Sequence, residues 1–114
     1  MDLSKETAKK IEELQLLEAH LQNFLAQAQL IQVELNEILN AISELENSKD
    51  DEVYKIFYGM MVKSSKEVVL KELKEKNRIN EVKVSSVEKQ QQITEKNISK
   101  LREEVNNAIV SKKK

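Results

Sequence analysis

The stretch LQLLEAHLQNFLAQAQLIQVELNEILNAISEL, Leu14–Leu45, carries an apolar residue at every third-then-fourth position. The slots are Leu14, Leu17, Leu21, Phe24, Ala28, Ile31, Leu35, Ile38, Ile42 and Leu45, filled without a miss. That spacing is the heptad alternation of a coiled-coil seam, a narrow stripe along one side of a long helix. One stripe cannot bury itself, so the pattern demands a partner. The same spacing returns from Leu70 through Leu73, Asn77, Asn80, Val84, Val87, Gln91, Thr94, Ile98, Leu101, Val105 and Ala108. Setting Leu45 opposite Leu70, Ile31 opposite Val84 and Leu14 opposite Leu101 brings every slot of the first run against one of the second. The layers are then a-against-d throughout, as an antiparallel pair requires. The agreement favours a hairpin within one chain over a parallel dimer, with a different stagger of the two helices as the alternative register.

Between the runs lies Val53-Tyr-Lys-Ile-Phe-Tyr-Gly-Met-Met-Val-Lys63, rich in β-branched, aromatic and Met residues. It reads as two short strands turning at Tyr58-Gly59, where glycine takes a positive φ without steric cost. The chain is therefore expected to be dominated by α-structure. Residues 1–114 form one domain, with helix 4–46, β-hairpin 53–63 and helix 65–110. Ser4, near Glu6 and Thr7, caps the first helix, and Ser64 or Ser65 caps the second, with Glu67 in its first turn. Asn47-Ser-Lys-Asp-Asp51 is the polar stretch that ends the first helix. A first helix of this length extends about 60 Å at ~1.5 Å per residue.

Composition supports few reversals. The 114 residues include one Gly and no Pro, with 34% charged and 4% aromatic residues. A chain with so little to turn with fits an elongated shape. The net charge of −1 gives no basic excess for nucleic acid, and the absence of cysteine excludes thiol chemistry. The start Met-Asp-Leu-Ser-Lys-Glu lacks the apolar run of a signal peptide, and no apolar run approaches membrane-spanning length. A cytoplasmic location without membrane partners is expected.

Catalysis has little to work with. His20 is the only histidine and sits beside the seam among long polar side chains. It reads as a solvated flank residue, since acid–base work needs a positioned partner. Glu12-Glu13 and Glu103-Glu104 read as solvated helix faces, and Asp50-Asp51-Glu52 as a turn cluster. No Gly-rich phosphate loop or metal-ligand spacing is present, so no enzyme activity, metal or cofactor is expected.

Two surfaces remain. Polar seam residues cost stability and can fix register. Asn77 and Asn80 fall opposite Ile38 and Leu35, while Gln91 and Thr94 fall opposite Phe24 and Leu21, leaving Leu21 and Phe24 short of apolar partners. Toward the termini the seam weakens, with Lys10 opposite Val105, Thr7 opposite Ala108 and Leu3 opposite Lys112. That end is expected to open and offer apolar residues to a ligand. The candidate binding residues are Leu3, Ile11, Leu14, Leu17, Leu21, Phe24, Leu101, Val105, Ile109 and Val110. The second surface is the hairpin, where Val53, Tyr54, Ile56, Phe57, Tyr58, Met60, Met61 and Val62 crowd both faces. A lone hairpin is marginal in water, and an apolar open edge invites pairing. The hairpin either folds onto its own helices or, as the preferred reading, pairs edge to edge with hairpins of other subunits into a closed barrel.

Helix–hairpin–helix order, Val53-Tyr-Lys-Ile-Phe, Met-Met-Val-Lys-Ser-Ser-Lys-Glu67 and Leu70-Lys-Glu-Leu-Lys-Glu-Lys76 together resemble the β-type subunit of prefoldin. The resemblance covers nearly the whole chain, and Tyr54-Lys55 to Lys66-Glu67 is its most specific part. One departure is that the family's usual glycine falls where Tyr58 stands, with Gly59 one place later. The resemblance implies a hexamer of two α-type and four β-type subunits, with a double β-barrel body and coiled-coil arms. It implies ATP-independent capture of unfolded client proteins at the arm tips and delivery to a group II chaperonin. A structural coiled-coil scaffold, assembled through the same hairpin but holding no client, is the alternative.

Overall fold

The computed structural model describes residues 4–112, with side chains to residue 110. Four elements follow in order: α1 (Lys5–Asn47), β1 (Glu52–Phe57), β2 (Met60–Ser65) and α2 (Lys66–Lys112). Two long helices thus flank a two-stranded antiparallel hairpin, as the two heptad runs and the Val53–Lys63 stretch between them predict.

Local chemistry sets each boundary. Ser4 is the N-cap of α1. Its Oγ accepts from the Thr7 backbone N–H at 3.1 Å and shares a hydrogen bond with the Thr7 hydroxyl at 2.9 Å. This satisfies an orphan donor of the first turn and lets Thr7 sit buried in the seam. At the other end, the Ser48 N–H bonds back to the Leu45 carbonyl, and the Ser48 hydroxyl accepts from the Asp50 N–H. Between Ser64 and Ser65, the structure selects Ser65 as the cap of α2, accepting from the Val68 N–H at 3.3 Å.

The hairpin is longer than the expected 53–63. Glu52 pairs with Ser65 and Val53 with Ser64, so the ladder runs from Glu52 to Ser65, up to the first residue of α2. Serine reads as a helix-start residue in sequence, but here Ser65 ends a strand and caps a helix at once. Cross-strand pairing overrides weak intrinsic preference.

The chain divides into two compact units, residues 1–29 with 85–114 and residues 30–84. In each, part of α1 runs antiparallel to part of α2. Every heptad slot from Leu14 to Leu45 and from Leu70 to Ala108 is buried or half-buried. Leu35 and Ile38 are the best-buried apolar residues of the 30–84 unit, and Ile98 and Val105 those of the other. Glu18–Arg102 at 2.9 Å and Glu46–Lys74 at 3.4 Å are flanking pairs of the same predicted register, one in each unit.

The unit of residues 30–84 has one further tie. The last turn of α1 contains no basic residue to complement its exposed carbonyls. Lys66 supplies one from the start of α2. Its Nζ donates to the Ser48 carbonyl oxygen at 2.6 Å, and its backbone N–H donates to the Asp51 carbonyl at 2.8 Å. A cation at a helix C-terminus is favourable both as a hydrogen bond and toward the helix dipole.

Lys66→Met is therefore expected to lower stability by about 1–2 kcal/mol. Lys63, whose ion pair with Glu52 is exposed, should cost less than about 0.5 kcal/mol when changed to Met. Thermal melting followed by circular dichroism compares them, and equal effects would discard the Lys66 tie as a stabilising contact.

Candidate functional site

The hairpin presents two faces, set by the strand alternation and the register. Val53, Lys55 and Phe57 share one with Ser64, Val62 and Met60, their cross-strand partners. This face is partly covered. Val53, Lys55 and Ser64 are half-buried, and the Lys55 ammonium forms an ion pair with Glu72 of α2. The opposite face carries Glu52, Tyr54 and Ile56 paired with Ser65, Lys63 and Met61, and all six are exposed. At its centre Ile56 is 76% exposed and Met61 69%. Seven of the eight residues assigned to the hairpin surface stay exposed, with Val53 the half-buried one. Both strands also keep one edge without a ladder partner among the described residues.

The turn is the tight two-residue kind. Phe57 pairs with Met60, and Tyr58 and Gly59 have φ of 49° and 77°. Positive φ at both central positions is the type I′ pattern, whose twist matches the strands. A Cβ added to Gly59 would meet nothing within 4 Å, so glycine is needed there for its backbone conformation, not for space. Tyr58 has no such freedom and sits in the left-handed region, the residue 93% exposed. The ring meets Phe57 edge-on, centroids 4.8 Å apart.

Beside the hairpin, a groove of about 790 Å³ runs along the first turns of α2. Ile56, Phe57, Val68, Val69, Leu73 and Ile79 give it an apolar floor, and Lys71, Glu72, Glu75 and Lys76 line it as well. Next to it, the Arg78 guanidinium bonds the exposed Glu75 carboxylate at 2.6 Å. That hydrogen bond, with the accompanying charge attraction, holds the carboxyl below its usual range. Val68 and Ile79 lie off the seam, on the outer side of α2, so a reading centred on heptad slots passes over them. Their signal is two apolar residues at outer slots in an otherwise charged stretch.

The unit of residues 1–29 and 85–114 contains the described residues assigned to ligand binding. Leu3 lies outside the described residues. Ile11, Leu14, Leu17, Leu21, Phe24, Leu101 and Ile109 are half-buried, Val105 is buried and Val110 is exposed. Leu21 and Phe24 are thus partly covered despite the polar layer facing them. The Thr94 hydroxyl donates to the Gln90 carbonyl and the Gln91 amide nitrogen to Glu95, so neither side chain leaves a buried polar atom unpaired. Lys10–Glu104 at 3.5 Å, like Glu18–Arg102, brackets the seam. Small crevices flank it, one including Leu17 and Leu101 and another Leu21 and Ile98.

His20 is exposed. Among the described residues no cluster of His, Cys, Asp and Glu could hold a metal ion, and no helix is long and apolar enough to cross a membrane.

Helix, hairpin and helix in this order find a counterpart in a solved structure. The crystal structure of the prefoldin beta subunit from Thermococcus strain KS-1 superposes with a TM-score of 0.84 at 29% identity, covering 94% of this chain and 95% of that one. The family profile described as prefoldin subunit matches residues 8–112. The chain belongs to the prefoldin subunit family. Prefoldin subunit beta of Pyrococcus furiosus is 35% identical over 98 residues, covering 85% of this chain and 84% of that one. Prefoldin subunit beta of Pyrobaculum aerophilum is 33% identical over 97 residues, covering 84% and 77%. Membership gives the chain a general chaperone role in a family that is not one of enzymes, and implies assembly with other prefoldin subunits.

The left-handed Tyr58 generates a prediction. Tyr58→Asn places a residue that tolerates this conformation before Gly59, in the preferred type I′ pair, and should stabilise the chain by about 1 kcal/mol. A lower thermal midpoint at unchanged helix content would show that the Tyr58 ring contributes more than its backbone conformation costs.

Proposed function

We propose that the chain is a β-type subunit of an ATP-independent holdase that acts in the cytoplasm. It assembles with two α-type subunits and further β-type copies, captures unfolded proteins and passes them to a group II chaperonin. The observation that carries the assembly half is the outer hairpin face, where Tyr54, Ile56 and Met61 stand in solvent beside open strand edges. Each edge is a row of unpaired backbone donors and acceptors. Pairing with hairpins of other subunits satisfies both edges and buries the apolar face in one step. Val53, Phe57, Tyr58, Met60 and Val62 complete that surface.

The capture half assigns clients to the seam end at the termini, through Leu3, Ile11, Leu14, Leu17, Leu21, Phe24, Leu101, Val105, Ile109 and Val110. Val110 is already exposed there, and the half-buried residues behind it become available as the seam parts. Thr7 and Lys10 in neighbouring slots make that parting cheaper than it is between leucine layers. Apolar contacts of this kind are individually weak and indifferent to client sequence. Several subunits sharing one client supply the hold through avidity, and binding unfolded rather than native chains needs no nucleotide.

One observation favours the scaffold reading instead: ion pairs bracket this seam end and Val105 is buried within it. Truncation separates the two. Deleting residues 1–10 with 106–114 should abolish suppression of aggregation when a denatured unrelated protein is diluted, while the oligomer persists. Phe24→Ser should weaken suppression modestly, because it removes one aromatic anchor and leaves the others. A scaffold loses nothing in either variant. Full protection by the truncated oligomer would move capture elsewhere, for instance to the floor of the barrel.

Assembly is tested independently. Ile56→Asp together with Met61→Asp should lower the mass of the complex formed with an α-type subunit, with helix content retained, since buried unpaired charge is costly. Unchanged mass by light scattering would discard the hairpin as the assembly surface.

A further inference from the structure

Asn77 and Asn80 stand out among the polar seam residues. They occupy consecutive seam slots of α2, one turn apart, and Asn80 is only 5% exposed. Across the seam, their register partners Ile38 and Leu35 are each 6% exposed, among the best-buried apolar residues of the chain. The Asn77 amide nitrogen donates to Glu81 at 3.2 Å, but its Oδ1 is buried with no partner, and so is Nδ2 of Asn80. Gln91 and Thr94, by contrast, have partners within their own helix.

A register lock is the ordinary explanation of a polar seam layer. In this chain the lock is redundant. The two-residue turn, the strand ladder and both hydrogen bonds of Lys66 already set the direction and offset of α2 at its start. The energetic consequence of the orphan atoms remains. A buried amide group without a partner destabilises the closed seam, and it recovers its full solvation as soon as water reaches it. At leucine layers the balance runs the other way, because opening exposes apolar surface.

We propose that the Asn77–Asn80 layer is a built-in soft point of the seam. It lowers the free energy of local opening, so that Leu35 and Ile38 are uncovered more often than their burial suggests. This inference rests on the fold and the two orphan atoms, independently of the holdase reading.

Native-state amide hydrogen exchange on the whole chain tests it. Asn77→Leu with Asn80→Leu should slow exchange about tenfold or more within residues 34–39 and 77–81, on the scale of one satisfied or removed orphan group. Residues 91–98 should change little. Asn80→Asp, which buries a charge at the same place, should speed exchange in those two segments. Gln91→Leu with Thr94→Val, which removes side chains already satisfied, should have a much smaller effect on its own layer. Exchange that is unchanged or faster in the double leucine variant overturns the proposal, as does slowing spread evenly along both helices. Should the leucine variant change its association, the Asn80→Asp variant still decides, since absence of local acceleration there also overturns it.

Discussion

A single apolar stripe on each helix is the constraint on which everything else rests. A heptad seam between two helices covers one side of each and leaves the other in water. Among the described residues no side chain is completely buried, and the buried apolar set is limited to Leu35, Ile38, Ile98 and Val105. Stability must then come from a long succession of half-buried contacts, which is why both helices exceed forty residues. Each layer contributes little, so interrupting one costs only that layer. Such a construction tolerates polar seam positions that a compact core would not, and Asn80 and Thr94 sit in it among the best-buried residues.

The same constraint makes the connection between the helices important. Helices held only by a narrow stripe have few contacts that fix where one begins against the other. The hairpin and Lys66 do so with backbone pairing and one well-placed ammonium. Lys66 donates to the Ser48 carbonyl just past the end of α1, whose last turn has no basic residue, and its own N–H extends the strand ladder to Asp51. The hairpin's apolar outer face is not needed for this. Its alternation could have been polar outward, as in most half-solvated sheets. Ile56 and Met61 therefore point beyond the chain's own stability, and the proposed pairing with other subunits accounts for them.

Much of this was legible in the sequence because the signals are periodic. Ten uninterrupted heptad slots define α1, and the matching run defines α2 and its direction, so which residues face the seam was readable slot by slot. Gly59 marked the turn. The position of Tyr58 in the left-handed region was not readable, because a tyrosine gives no local sign of accepting a strained backbone. It is forced there by the pairing of Phe57 with Met60 and of Ile56 with Met61. The strand ends were missed for a related reason: Ser64 and Ser65 look like the start of a helix, and only the opposing Val53 and Glu52 make them strand. The groove floor at Val68 and Ile79 escaped because both lie outside the seam pattern.

The polar seam slots mark where sequence reading stops for a physical reason. In the sequence, Asn77, Asn80, Gln91 and Thr94 form one class, each a polar residue opposite an apolar one. Side-chain reach separates them. The threonine hydroxyl reaches the carbonyl one turn back, and the longer glutamine carries its amide out to Glu95, so both remain in the seam with partners from their own helix. Asparagine is one methylene shorter than glutamine. Asn77 reaches Glu81 with its nitrogen only, and Asn80 leaves its nitrogen without a partner. Polarity at a seam slot is thus not a single quantity. A side chain that closes its hydrogen bonds within its helix mainly forgoes apolar contact, whereas one that cannot adds the cost of an unpaired group. That difference makes one polar layer compatible with a closed seam and turns the other toward opening.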